Sequence, residues 1–242
     1  MNHQRKPLIS VVTVCYNAVN ELERTMLSVL NQTYDNIEYI VIDGGSKDGT
    51  VDIIKKYANR IAYWVSEPDK GIYDAMNKGI NAARGEWINF MNAGDRFENM
   101  GVLELFSECN LNHLRVVYGN TKFVTKQGIG YRTAKDVHYI RKDMPTSHQS
   151  FFIRMEVAKE FRFDLKYKYV ADYYMIYAIY RKYGSKSVAH LPFTVAEFEA
   201  IDGLSMLHPN EVFRETLKVR GCSLDWVWCM LKYYIKKCLG RS

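Results

Sequence analysis

The chain has 242 residues, and 48% of them are hydrophobic, which is enough to bury a full core and excludes a disordered tail or a miniprotein. A formal net charge of +6 favours anionic partners, which could be phosphorylated substrates, acidic lipid headgroups or nucleic acid. Five cysteines without a C-x-x-C spacing indicate neither a disulfide framework nor a zinc site. Together with a polar start that lacks the apolar segment of a signal peptide, this predicts a cytosolic protein.

Strand and helix patterns alternate over the first part of the chain. Leu8 to Cys15 predicts a buried strand, and Asn20 with Glu23 predicts a capping box at the start of a helix. The patterns that follow predict a strand over 37–42, a helix from about 51 to 58, a strand over 61–65, a helix over 73–83 and a strand over 87–91. This order predicts a largely parallel sheet with helices on both faces, with ligands at the carboxyl ends of its strands.

The alternation fades beyond about residue 95. Short strands are predicted over 116–118, 122–125, 187–191 and 194–198, and helices over 173–183 and from 211 to 219. No internal repeat or low-complexity linker separates these elements.

An acidic residue follows the second predicted strand. Asp43 could accept hydrogen bonds from a nucleoside, and Gly44 after it would let a ligand approach the backbone. Equally, this segment could be a turn in which Asp48 or Thr50 caps the next helix. A dinucleotide fold is disfavoured, because it needs G-x-G-x-x-G after the first strand, where this chain has CYNA.

Oxygen-bearing side chains also follow the strand over 87–91. Asn92-Ala93-Gly94-Asp95 offers ligands that suit Mg²⁺ or Mn²⁺, although a single aspartate at this place could also be a turn residue. Between the third strand and the next helix, Lys70 could neutralise a phosphate and Asp74 could bond a sugar hydroxyl. The alternative there is a solvated loop and helix start, where Asp69 and Asp74 are favoured by the helix dipole.

Two further segments place ionisable groups among aromatic residues. Asp172 could be a general base that removes the proton of an attacking hydroxyl, or it could cap the helix that follows it. His148, next to Gln149, could equally be a hydrogen-bonded structural histidine.

Three segments taken in order carry a resemblance to a known family. They are PLISVVTVCYNAVNELERTMLSVLNQTYDNIEYIVIDGGSKDGT, SEPDKGIYDAMNKGINAARGEWINFMNAGD and VADYY, and together they resemble the family 2 glycosyltransferases with the GT-A fold. The resemblance is strong from Pro7 to Asp95, weaker to about Phe198 and absent over the rest. It implies an α/β fold with a Rossmann-like nucleotide-binding sheet in a domain 1–205, divided into a donor half 7–95 and an acceptor half 96–205, with a helical tail 206–242.

The resemblance also implies roles for individual residues. Asp172 would be the catalytic base, Asp95 would ligate Mn²⁺ or Mg²⁺, and His148 and Gln149 would lie on the acceptor side. The residues expected at the donor are Thr13, Tyr16, Asn17, Asp43, Gly44, Asp69, Lys70, Asp74, Asn92, Ala93 and Gly94. The metal motif keeps only one carboxylate, and Ala171-Asp172 stands where an acidic pair is often found.

The implied activity is transfer of one sugar, with inversion, from a nucleotide-diphosphate sugar, by default a UDP-sugar. The acceptor would be a hydroxyl of a glycan or lipid-linked saccharide in bacterial O-antigen, capsule or exopolysaccharide synthesis. The Q-x-x-R-W signature of processive members is missing, which predicts a non-processive enzyme.

The segment from Asp225 to Arg241 mixes Trp and Tyr with Lys and Arg, a composition suited to an anionic membrane surface or to packing on protein. The expected location is therefore the cytoplasm, with peripheral contact to the inner face of the plasma membrane. One alternative is a catalytically weak nucleotide-sugar-binding module. Nucleic-acid binding is not expected, because the basic residues are dispersed and no recognition motif is present.

Overall fold

Four parallel strands form one half of the central sheet, and they arise from the apolar, β-branched runs early in the chain. In the computed structural model, which describes residues 6–125, 128–199 and 207–221, they lie in the order β3-β2-β1-β4. Their bounds are β1 Ile9–Cys15, β2 Ile37–Asp43, β3 Tyr63–Ser66 and β4 Trp87–Phe90. Every residue of β1 and β4 is buried, as expected for strands covered on both faces. The predicted parallel sheet is confirmed for this half.

The same sheet continues beyond β4 with mixed strand directions. The remaining strands are β5 Arg96–Phe97, β6 Val116–Thr125, β7 Gly128–Arg132, β8 Phe151–Arg154 and β9 Val188–Glu199. β8 pairs antiparallel with both β4 and β6, and β6 pairs parallel with β9. β5 and β7 pair antiparallel with β9 and β6. The predicted short strands over 116–118 and 122–125 are parts of β6, and those over 187–191 and 194–198 are parts of β9.

Helices cover both faces of the sheet, as predicted. They are α1 Leu22–Leu30, α2 Thr50–Lys56, α3 Ile72–Ala82, α4 Val102–Glu108, α5 Met155–Phe161, α6 Ala171–Tyr183 and α7 Pro209–Arg220. Neighbouring residues of β1 point to opposite faces. Val11 packs in the hydrophobic cluster beneath α1 and α4, and Val12 packs in the cluster beneath α3, α5 and α6.

The predicted capping box at the start of α1 is wrong. The N-cap residue is Glu21, which makes no side-chain capping bond, and the helix begins at Leu22. The carboxylate of Glu23 instead accepts hydrogen bonds from Lys56 and Tyr57, 2.7 Å away in both cases. The side chain of Glu23 therefore connects α1 to the end of α2, whereas the sequence pattern assigned it to a cap of α1.

The first part of the predicted tail packs against the domain. α7 contacts α6, and Val219 joins the hydrophobic cluster that contains Ile176 and Ile179 of α6. The aromatic and basic segment from 225 to 241 lies outside the described residues. Within the described ranges, no helix has the length and hydrophobicity needed to cross a bilayer.

Candidate functional site

The loops that follow β1 and β2 interlock at the carboxyl edge of the sheet. The backbone N–H of Asn17 donates to Ser46 Oγ at 2.7 Å, and the N–H of Lys47 donates to Asn17 Oδ1 at 3.0 Å. Asn17 has a φ of 46°, in the left-handed region that asparagine tolerates better than most residues. Tyr16 is held beside this junction with 65% of its surface exposed. The edge thus offers a fixed wall and an exposed aromatic ring.

Asp43 organises the loop after β2. The side chain is fully buried, with Oδ2 accepting from Gly45 N at 3.1 Å, Ser46 N at 2.9 Å and Ser66 Oγ at 2.6 Å. Oδ1 accepts from the hydroxyl of Ser46 and from Cys15 Sγ at 3.6 Å. Burial alone would raise the pKa of this carboxyl, but the hydrogen bonds from Ser46, Ser66 and the two amides outweigh it and lower the pKa. These hydrogen bonds hold the loop together, and the contact between Asp43 and a nucleoside stays a prediction.

Thr13, predicted to contact the donor, lies inside the protein. It is fully buried within β1, and its hydroxyl donates to the carbonyl of Met91 at 2.7 Å and lies 3.0 Å from Tyr39 Oη. Thr13 thus connects β1 to the residue that follows β4, and its contact with the donor stays a prediction.

The loop between β3 and α3 lies over the loop after β2. A Cβ atom placed on Gly44 would lie 2.5 Å from Asp69 Oδ2 and 3.3 Å from Tyr16 Cδ2, so only glycine allows this approach. Asp69 Oδ1 accepts from Gly71 N at 2.7 Å, and Asp74 Oδ2 accepts from the N–H of Lys70 at 3.0 Å. The structure therefore brings together the predicted residues Tyr16, Gly44 and Asp69.

Lys70 supplies an uncompensated positive charge next to this group. The residue is exposed, and in the described part of the chain its amine has no carboxylate partner. An exposed lysine at the rim of such a loop suits attraction of an anion such as a phosphate.

A tight turn after β4 carries the predicted metal motif. Asp95 N donates to Asn92 O at 2.9 Å, and Gly94 adopts a φ of 99°. Thr25 of α1 fixes the turn from below, because its hydroxyl accepts from Gly94 N at 3.0 Å and donates to the carbonyl of Asp95 at 2.7 Å. Ala93 is bound to the first strand through its N–H, 3.0 Å from Val14 O. The turn is thus held in place from two elements.

His148 and Gln149, predicted on the acceptor side, contact Asp95. They lie in the short 3-10 turn His148–Ser150 that precedes β8. Gln149 Nε2 donates to Asp95 Oδ1 at 2.8 Å, and His148 Nε2 lies 3.7 Å from Asp95 Oδ2. Burial raises the pKa of Asp95 to about 6, although His148 and Gln149 oppose the shift. The side chain of Gln149 is 3% exposed and bonded to the metal motif, and its placement on the acceptor side stays a prediction.

Three amide oxygens in and next to the metal motif have no hydrogen-bond partner among the described residues. They are Asn89 Oδ1, Asn92 Oδ1 and Gln149 Oε1, and all three are buried. The amide nitrogens are occupied, as Asn92 Nδ2 lies 2.9 Å from His148 Nε2 and Asn89 Nδ2 donates to Gln149 O at 2.9 Å. A buried acceptor without a donor is costly.

The unpaired amide oxygens bear on whether these residues fit the predicted metal ion. A carboxylate with amide oxygens is the ligand type of hard divalent cations such as Mg²⁺ and Mn²⁺. No group of three or more His, Cys, Asp or Glu side chains able to hold a metal occurs within the described ranges. The donor set of Asp95, Asn92 and Gln149 therefore fits a cation that takes its remaining ligands from water and from a bound phosphate.

Asp172 lies in the first turn of α6, and it is not the N-cap, which is Val170. Its Oδ1 accepts from Tyr173 N at 2.8 Å and from Tyr73 Oη at 3.1 Å. Its other oxygen has no hydrogen-bond partner in the described ranges, so it can accept a proton. Tyr73 was not predicted as a site residue, because nothing in the sequence relates it to a position 99 residues later.

A narrow cavity lies beside Asp172. Asp172 and His148 both line it, and its other walls are apolar: Met76, Phe90, Met144, Phe151, Ile153, Phe163, Met175 and Ile176. His148 therefore touches the cavity on one side and Asn92 on the other. Asp172 and the metal motif are thus linked through His148, which lines the cavity and contacts Asn92.

Comparisons with known proteins identify the family and the fold of the chain. Residues 10–187, more than half of the chain, match the family model described as glycosyl transferase family 2. An uncharacterized glycosyltransferase of Mycobacterium tuberculosis (strain H37Rv) is 46% identical over 98 residues, which cover 40% of this chain and only 37% of the relative. A PGL/p-HBAD biosynthesis glycosyltransferase of Mycobacterium bovis (strain BCG / Pasteur 1173P2) is 27% identical over 173 residues, 69% of this chain and 67% of the relative.

Two solved structures have the same fold. S. aureus TarS 1–349 in complex with UDP-GlcNAc matches with a TM-score of 0.67 and 18% identity over 85% of this chain and 63% of that chain. The mannosyltransferase PcManGT from Pyrobaculum calidifontis, in complex with GDP-Man and Mn²⁺, matches with a TM-score of 0.66 and 16% identity over 90% of this chain and 66% of that one. These likenesses confirm the GT-A fold that the sequence motifs predict.

Proposed function

Since this chain belongs to glycosyl transferase family 2, we propose that it transfers a single sugar from a nucleotide-diphosphate sugar to a hydroxyl of a glycan or lipid-linked saccharide. One observation carries the proposal: His148 contacts Asn92 and Asp95 of the metal motif and lines the same cavity as Asp172. In a displacement, the cation that stabilises the leaving diphosphate and the base that activates the attacking hydroxyl must lie on opposite sides of the reacting carbon.

The donor would bind at the edge formed by Tyr16, Gly44 and Asp69. The exposed ring of Tyr16 is suited to stacking on a nucleobase, and Lys70 is suited to attracting the diphosphate. TarS binds UDP-GlcNAc and PcManGT binds GDP-Man, which supports a nucleotide sugar as the donor. We propose a UDP-sugar. Asp74 and Asn17 would shape the loops around it, since both bond to backbone groups there.

Asp95 would hold Mn²⁺ or Mg²⁺ with the amide oxygens of Asn92 and Gln149. When bound, the cation would offset the negative charge that develops on the departing diphosphate. The complex of PcManGT with Mn²⁺ supports this assignment. Gln149 would also hold the orientation of Asp95, because its Nε2 donates to one carboxylate oxygen while its own oxygen stays free.

Asp172 would act as the base. Its free oxygen takes the proton of the acceptor hydroxyl, whose oxygen bonds to the anomeric carbon as the bond to the donor diphosphate breaks and that group leaves with the electron pair. A single displacement of this kind inverts the configuration. The apolar cavity walls exclude water, which limits hydrolysis of the donor.

The names of the relatives support a proposal for the cellular setting. The M. bovis protein is named for PGL/p-HBAD biosynthesis, which supports a role in building a cell-surface glycan. We place the enzyme in the cytoplasm, with peripheral contact to the membrane that carries a lipid-linked acceptor.

The test measures transfer from a panel of UDP- and GDP-sugars with Mn²⁺, Mg²⁺ or EDTA. We expect turnover with a divalent cation and its loss in EDTA. Asp95→Ala should weaken metal-dependent nucleotide binding, and Asp172→Asn should lower kcat by about 100-fold or more with unchanged nucleotide affinity. Asp52→Asn is the control, because Asp52 lies on α2 with 82% of its side chain exposed.

Two results would contradict the proposal. Full turnover in Asp172→Asn would place the base elsewhere. Tight metal-dependent nucleotide binding without turnover, for every donor and for a mixed extract of lipid-linked acceptors, would identify a binding module.

A further inference from the structure

Glu215 lies on α7, beyond the residues 10–187 that match the family model. Its carboxylate accepts hydrogen bonds from three consecutive backbone N–H groups. Oε1 lies 2.9 Å from Lys168 N, and Oε2 lies 2.8 Å from Tyr169 N and 3.2 Å from Val170 N. One side chain of the C-terminal helix therefore fixes the whole segment that leads into α6.

The three N–H groups precede the first turn of α6 and include that of the N-cap residue, Val170. Val170 has no polar side chain with which to cap the helix. Successive N–H groups that converge form a site for a negative charge, and hydrogen bonds to a charged acceptor are stronger than those to a neutral one. A carboxylate at this position is thus a better partner than water.

The clamped segment ends two residues before Asp172 and is bonded to it through Tyr73. The hydroxyl of Tyr73 lies 3.0 Å from the carbonyl oxygen of Tyr169 and 3.1 Å from Asp172 Oδ1. Glu215 accepts from the N–H of Tyr169, and the hydroxyl of Tyr73 donates to the carbonyl oxygen of the same residue. The position of the Asp172 carboxylate therefore depends on both contacts.

α7 is itself anchored, so Glu215 is not a mobile partner. Thr216 and Leu217, which follow Glu215 directly, are buried. Val219 packs in the same hydrophobic cluster as Ala171 and Ile176 of α6. The helix can therefore transmit a fixed position to the segment that it clamps.

We propose that Glu215 is a positioning residue for the base Asp172, and that α7 thereby completes the acceptor side of the site. The inference rests on the proposed function of Asp172 as the base. Because displacements of about 1 Å in reacting groups can lower rates by about 100-fold, a loosened segment should slow transfer without weakening the donor.

The experiment compares Glu215→Gln with the full-length wild type. We expect kcat to fall by about 10-fold or more, with the donor KM changed by less than about 2-fold. Hydrogen exchange should accelerate in peptides covering 168–174 and stay unchanged over β1. Glu215→Asp, which keeps the charge on a shorter side chain, should fall between wild type and Glu215→Gln, and it serves as the second variant if Glu215→Gln does not fold.

Glu211→Gln is the matched control. Glu211 lies one turn earlier on α7, and within the described ranges its carboxylate has no hydrogen-bond partner, so this variant should match the wild type in kcat and exchange. Wild-type kcat in Glu215→Gln would overturn the proposal, as would equal losses of kcat, donor binding and exchange protection throughout the sheet. The proposed base is tested separately: full activity in Asp172→Asn would reject the proposed function, and the positioning role with it.

Discussion

At the scale of single residues, Gly44 controls how closely two loops of the donor edge approach. A Cβ at this position would lie 2.5 Å from Asp69 Oδ2 and 3.3 Å from Tyr16 Cδ2, so Gly44→Ala must displace Asp69. We expect the dissociation constant for UDP with Mn²⁺, measured by calorimetry, to rise about 10-fold, which corresponds to a lost contact of roughly 1.4 kcal/mol.

The control for this prediction is Gly101→Ala. Gly101 precedes α4 with a φ of −98°, and the nearest atom to an added Cβ is 3.4 Å away, so the methyl group fits without displacing its neighbours. Unchanged affinity in Gly44→Ala would show that neither Asp69 nor Tyr16 contacts the nucleotide.

The sequence predicts which edge carries the site better than which side chains face it. Asp43 and Thr13 follow the motif, yet both are fully buried and bonded within the protein. A motif records the spacing of residues along the chain, and it does not reveal whether neighbouring donors already occupy an acceptor. The approach of Gln149 to Asp95 could not be predicted, because it joins residues 54 positions apart.

At the scale of elements, Glu197 joins three strands through ion pairs. Glu197 lies on β9. Its Oε2 is 2.7 Å from Lys122 Nζ of β6, and its Oε1 contacts the guanidinium of Arg96 on β5. Burial alone would raise the pKa of Glu197, but the hydrogen bonds from Lys122 and Arg96 outweigh it and lower the pKa below the ordinary 4.5. The stabilisation is therefore fully present above pH 4.5 and is lost as pH falls through the lower folded-state pKa.

Glu197→Gln should lower the free energy of unfolding by about 1–3 kcal/mol at pH 7, because two partly buried cations lose their partner. The difference in the free energy of unfolding between Glu197→Gln and wild type should shrink below about pH 4.5. There, wild-type Glu197 becomes protonated first in the unfolded chain and then in the folded one. Urea unfolding at pH 7 and at lower pH measures both effects. Glu23→Gln, which breaks an exposed pair with Lys56, should lower the free energy of unfolding by clearly less than Glu197→Gln, because solvent screens the exposed pair. Equal losses in both variants would contradict the prediction.

Elements with a regular apolar pattern were predicted from the sequence, whereas the strand β8, which depends on pairing with distant strands, was not. β1, β2, β4, α3 and α6 follow their sequence patterns closely, because burial on the sheet demands a regular period. β8 has only four residues and forms through pairing with strands far away in the chain. The contacts of Glu215 were not predicted, because its partners lie 45 to 47 residues earlier and Glu215 itself lies in the tail, where the family resemblance is absent.

At the scale of the whole molecule, one sheet runs through the donor and acceptor halves. β4 belongs to the parallel half and pairs with β8, with Ile88 opposite Ile153. Phe152 of β8 stacks on Phe106 with ring centroids 4.0 Å apart, and Trp87 of β4 meets the edge of the same phenylalanine at 5.4 Å. The boundary at residue 95 that the motifs suggest therefore crosses a continuous core.

The two halves should consequently unfold as one unit. Native-state hydrogen exchange in urea should give β1 and β6 opening free energies within about 1 kcal/mol of each other, because neither can separate without exposing the aromatic cluster. Phe152→Ala should lower both values by about 3–5 kcal/mol. Ile129→Ala, at a position with 64% exposure, should change them by about 0.5 kcal/mol or less. If Phe152→Ala opened β6 while β1 kept wild-type protection, the halves would be independent folding units and the continuous sheet would not transmit stability between them.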